Sequence, residues 1–76
     1  MKAMKDQKQS EEGAALMEEA AKTGDAHALY SYGIILFHGI GVAEDKAKPC
    51  QWWQKAKAQG HKEAAREYNR YCAKYY

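Results

Sequence analysis

GIILFHGIGVAEDKAKPCQWWQKAKAQG, residues Gly33 to Gly60, holds the end of an apolar helix, a loop built on Gly39-Ile40-Gly41-Val42, and a second helix carrying Trp52-Trp53. Gly60 closes that second helix, since glycine takes the left-handed conformation that ends helices at little cost. Two glycines, a histidine, a cysteine and two tryptophans this close together invite a search for a site. The flanking sequence shows first what they frame.

Upstream, Ala26 to His38 is apolar nearly all round (Ala28, Leu29, Tyr30, Tyr32, Ile34 to Phe37), as expected of a helix sandwiched between others. Gly33 in its middle costs about 1 kcal/mol relative to alanine, and the expected compensation is close approach of a neighbouring helix backbone. Before it, residues 10–23 carry Gly13, Leu16, Met17 and Ala20 at the i, i+3, i+4, i+7 spacing of one helical face. Met1 to Gln9 is polar and frays from this helix or extends it. Glu18 and Lys22 are placed for an exposed i, i+4 pair. Gly24 stops the helix and Asp25 caps the next.

Downstream of the loop, Asp45 is a good cap, yet Pro49 lacks an N–H and disfavours helical geometry at Lys48. The third helix is therefore expected to begin between Lys46 and Pro49, with Pro49, Trp52, Trp53 and Ala56 on its buried stripe. Residues 61–76 predict a fourth helix, with Ala64, Ala65, Tyr68, Tyr71, Cys72 and Tyr75 on one side and Glu63, Arg66, Glu67, Arg70 and Lys74 on the other. No useful stretch alternates with period two, so no strand is expected.

Gly24 recurs as Gly60, 36 residues on, and the same offset pairs Ala20 with Ala56, Ala28 with Ala64, Tyr32 with Tyr68, Leu16 with Trp52 and Met17 with Trp53. A fixed period of this size with two helices per unit marks an alpha-solenoid. The chain here resembles the Sel-one-like repeats, relatives of the tetratricopeptide class. The matching residues are Ala28, Gly33, Gly39, Gly41, Val42, Asp45, Trp52, Ala56, Gly60 and His61, with Gly24 marking the preceding unit. Pro49, where that pattern has alanine, and Asn69, where Gly33 recurs, depart from it.

The resemblance implies one all-α domain over residues 1–76. It consists of a second-type helix at 10–23, a complete repeat at 26–60 and a first-type helix at 61–76. The implied fold is four helices in two antiparallel hairpins, stacked as a short right-handed solenoid. Fewer repeats than the three or so a solenoid needs lead us to expect a dimer, a bound partner or membership of a longer array.

Composition sets outer bounds. At 76 residues, 46% hydrophobic and 29% charged, the chain suits one small folded domain. It contains no apolar run of the roughly 20 residues a membrane helix needs. The amino-terminal residues lack a signal-peptide core, so a cytoplasmic location is expected. Residues 1–45 hold eight acids against four lysines, while residues 46–76 hold eight bases against two acids. Such a split can steer an acidic partner or let copies associate head to tail, and it is equally what two solvated helix faces would show.

Catalytic and cofactor readings fare poorly. The Gly39-x-Gly41 loop lacks a third glycine, a following Lys-Ser/Thr pair and a preceding strand, so it is read as a turn with Ile40 and Val42 tucked inward. The three histidines, His27, His38 and His61, fall with the cysteines in no close ligand spacing, and no cofactor or metal is expected. His27 and His61 are read as surface residues at helix starts. A basic half without a recognition motif is a weak nucleic-acid signal. Cys50, ten residues before Gly60, and Cys72, twelve after, reach similar heights in a hairpin. They are either two buried reduced thiols or a disulfide, and the latter would place the protein in the periplasm or outside the cell.

Aromatic and arginine side chains dominate interface hot spots. Tyr30, Trp53, Tyr68, Tyr71, Tyr75, Arg66 and Arg70 are accordingly the candidate partner-binding residues. The expected function is a non-catalytic protein–protein interaction module, an adaptor or scaffold. The alternative is a small inhibitor or immunity-type protein that blocks an enzyme.

Overall fold

Capping chemistry sets the helix boundaries. Asp25 Oδ1 accepts from the Ala28 N–H at 3.0 Å and starts the central helix, which Gly39 ends in the left-handed region. In the computed structural model, which describes residues 2–73 and their side chains from Ser10 onward, the helices are α1 (Lys2–Lys22), α2 (Ala26–His38), α3 (Lys48–Ala58) and α4 (Lys62–Tyr71). Among the described residues there is no strand. Each helix packs against its neighbour in the chain. The polar amino-terminal segment extends α1.

α3 begins at Lys48 with Pro49 in its first turn, where the missing N–H is not needed. Asp45 does not cap it in the expected way. The residue immediately before α3 is Ala47, which makes no side-chain cap bond, while Asp45 Oδ1 accepts from the N–H groups of both Ala47 (2.8 Å) and Lys48 (2.9 Å). α4 ends at Tyr71, short of the expected end of the chain, because the N–H groups of Cys72 and Ala73 both turn back to the Tyr68 carbonyl.

The core is built on Leu29, Tyr32 and Leu36 of α2, Cys50, Trp53 and Ala56 of α3, and Ala64 with Cys72 at α4. Trp53 is 1% exposed, and its indole lies over Gly33. A Cβ on Gly33 would collide with the ring atoms Nε1, Cδ1 and Cε2. The close approach at Gly33 is therefore by a side chain, not by a neighbouring backbone as expected. Burying about 200 Å² of indole at about 25 cal/mol/Å² contributes about 5 kcal/mol, well above the roughly 1 kcal/mol that a helical glycine costs. The indole N–H also donates to the Tyr30 carbonyl at 3.2 Å.

Two further ties fix the arrangement. Gln59, at the end of α3, donates its side-chain amide to the Gly24 carbonyl in the α1–α2 turn. Cys50 and Cys72 form a disulfide with their Cα atoms 5.8 Å apart, joining the first turn of α3 to the end of α4. Of the two cysteine states left open above, the structure shows the bonded one.

The loop after α2 differs from expectation at one position. Val42 packs against the core, but Ile40 is 45% exposed. Gly41 presses on the α1 backbone at Ser10 and Glu11, where a Cβ would not fit. That contact leaves Ile40 facing outward.

Candidate protein-binding surface

Tyr71, on the last turn of α4, is 37% exposed. Its ring lies 4.7 Å from Phe37 of α2 and 6.3 Å from Trp53 of α3, centre to centre. Cations border this aromatic group. Lys46 Nζ stands 3.7 Å above the Phe37 ring and donates to the Phe37 carbonyl at 3.0 Å. Arg70 Cζ lies 5.9 Å from the Tyr71 ring. Lys46 also pairs with Glu44 at 2.9 Å, and hydrogen bonding to this ammonium holds the Glu44 carboxyl below its ordinary range. The result is an exposed aromatic edge flanked by an ammonium and a guanidinium. Such a surface suits an acidic partner with a flat or apolar contact.

The other candidate residues fall in different places. Trp53 lies beneath this edge and offers a partner no surface; the half-buried tryptophan is Trp52, whose ring meets Tyr32 edge-on at 5.2 Å. The choice of Trp53 as a binding residue is corrected on this ground, because the space over Gly33 takes only one of the two indoles. Tyr30 is half-buried and stacks on His61 at 4.8 Å. Burial, followed by the nearby Glu67 and Glu63 carboxylates, pushes its phenol up despite Arg66. Tyr68 is half-buried with Lys57 Nζ 4.8 Å from its ring. Arg66 is exposed. Tyr75 lies outside the described residues.

Three participants were not foreseen. Phe37 and Lys46, nine residues apart, meet only through the turn of the loop. His61 is not a plain surface residue: its Nδ1 accepts from the Ala64 N–H at 3.1 Å and caps α4. Its position straight after Gly60 and three before Ala64 was an available signal. On α1, Lys22 lies nearest Glu19, at 3.9 Å, instead of Glu18. Glu18 faces Tyr32, whose phenol is raised by burial first and then by that carboxylate.

Among the described residues no group of three or more His, Cys, Asp or Glu is placed to hold a metal ion. No described helix is long and apolar enough to cross a membrane. Comparison of the chain with protein-family models, with curated proteins and with solved structures gives no match in any of the three.

Proposed function

We propose that the chain is a non-catalytic protein-binding module of the Sel-one-like repeat kind, a short solenoid of two antiparallel hairpins in which binding is the activity. The observation that carries this reading is the exposed Tyr71 edge, seated on Phe37 and Trp53 and bordered by Lys46 and Arg70. A rigid aromatic anchor with a cationic rim is how interfaces concentrate affinity. The 36-residue recurrence and the packing of each helix on its chain neighbour support the solenoid reading. The Cys50–Cys72 disulfide favours an oxidising compartment over the cytoplasm.

Affinity capture from the native extract tests the reading, using the intact chain against two variants. Tyr71→Ala removes the anchor, and Arg70→Glu reverses the rim without touching the core. Both are expected to lose the captured protein. Capture unchanged by Arg70→Glu and Tyr71→Ala would move the binding face elsewhere. A captured enzyme that loses activity on addition of this chain would make the module an inhibitor.

A further inference from the structure

Tyr71 is followed directly by Cys72, which has 0% of its surface exposed and is bonded to Cys50 in the first turn of α3. Among the described residues α4 itself buries only Ala64, near its start, while Tyr68 is half-buried and Asn69, Arg70 and Tyr71 are exposed. The exposed Lys57–Asn69 hydrogen bond at 3.1 Å is a weaker tie, made in competition with water. Cys72 is thus the buried anchor of the last turn of α4, and with it of the Tyr71 ring on Phe37 and Trp53. The two sulfur-bearing residues differ in access. Cys50 keeps 6% of its surface exposed and, with Gln51, Gln54 and Tyr68, lines an open cavity of about 310 Å³.

We propose that the disulfide is a clasp on the Tyr71 edge, opened by a dithiol reductant that attacks Cys50. Its consequence for binding rests on the Tyr71 reading proposed above; the exchange itself does not. One thiolate of the reductant enters the cavity and attacks Cys50 Sγ. The Cys50–Cys72 bond breaks, and Cys72 leaves with the electron pair and takes up the proton that the attacking thiol gave up. The second thiolate of the reductant then attacks the reductant's own sulfur in the mixed disulfide. Cys50 leaves as a thiolate, a form favoured in the first turn of a helix, and is protonated in turn. The reductant ends as a disulfide and the chain as two thiols, a transfer of two electrons and two protons. Leaving-group strength alone would direct the first attack to Cys72, but a sulfur without exposed surface is out of reach, so access decides. With the bond open, Cys72 no longer holds the last turn of α4 and Tyr71 comes away from Phe37 and Trp53. The buried Leu29, Tyr32 and Leu36 keep α2 in the core. The oxidised chain presents the aromatic edge and the reduced chain does not.

Two measurements on the purified full chain test this. Brief exposure to a monothiol, 2-mercaptoethanol, followed by acid quenching and peptide mass mapping locates the mixed disulfide before it exchanges further. The adduct is expected on Cys50, with Cys72 free. Hydrogen exchange in the cold, before and after reduction with dithiothreitol, reads the clasp. The Cys72 and Ala73 amides, both bonded to the Tyr68 carbonyl, are expected to lose protection while those of Leu29 and Leu36 keep theirs. Cys50→Ser/Cys72→Ser is expected to show the reduced pattern without dithiothreitol, which separates loss of the bond from any effect of the reductant. An adduct on Cys72, a bond that dithiothreitol opens only in denaturant, α2 and α4 losing protection together, or α4 unchanged on reduction would each overturn the proposal. No binding partner enters these measurements, so their failure is distinct from failure to capture another protein through Tyr71.

Discussion

Gly33 of α2 and Trp53 of α3 form a single fit: the indole occupies the volume that any side chain at position 33 would claim. The atoms in the way belong to a buried ring with no room to swing aside. Gly33→Ala should therefore destabilise by up to about 2 kcal/mol, the overpacking penalty of about 1–3 kcal/mol being offset by a helix-propensity gain of about 1 kcal/mol. Urea unfolding of Gly33→Ala, Trp53→Leu and the double variant measures this. The double variant should be more stable than the sum of the two single effects predicts, a coupling that additive sites would not show.

The Cys50–Cys72 bond closes a loop of 22 residues, which by chain entropy contributes about 3 kcal/mol. Reduction, or the Cys50→Ala/Cys72→Ala variant, should lower unfolding stability by that amount. A chain this short has little reserve, so the reduced form is expected to be partly unfolded at 37 °C. Thiol labelling without reductant provides the control: full labelling of both cysteines in the untreated protein would sink the prediction.

Legibility divides along the reach of each interaction. Gly24, Asp25, Gly39 and Gly60 announce helix ends because capping is decided within four residues, and the four helices of the described residues follow from them and the helical stripes. What escaped the sequence depends on how neighbouring elements meet in space. Trp52 and Trp53 share a stripe about 100° apart, and only the location of Gly33 against α3 assigns Trp53 to the core. Ile40 faces outward because Gly41 is pressed on Ser10, a contact 31 residues away in the chain. The cationic border of the Tyr71 edge was half-legible: Arg70 is its neighbour in sequence, whereas Lys46 arrives through the loop.

His61 does two jobs, capping α4 through Nδ1 and stacking on Tyr30. His61→Asn keeps an acceptor at the cap but loses the stack, and His61→Ala loses both. The difference between the two variants isolates the cap and should be about 1 kcal/mol in favour of Asn. Equal stability of the two in urea unfolding at neutral pH would mean that the Nδ1 bond contributes nothing.

Tyr32 gives the fold an alkaline limit. Burial and, second, the Glu18 carboxylate raise its pKa in the folded chain above the ordinary value near 10. The folded state thus favours the neutral phenol, whereas the unfolded chain ionises at the ordinary value. The stabilisation is complete below about pH 10 and is lost as pH rises through the folded pKa, because the unfolded state releases the proton first. Absorbance titration of tyrosinate should show late ionisation from both Tyr30 and Tyr32, and Tyr32→Phe should remove one tyrosine's share of it. Glu18→Gln removes the negative charge but leaves the burial, so it should move that share toward lower pH without returning it to the ordinary value. A share unmoved by Glu18→Gln would mean that burial alone holds the phenol neutral, and a Tyr32→Phe titration with the late ionisation undiminished would mean that Tyr32 takes no part in it.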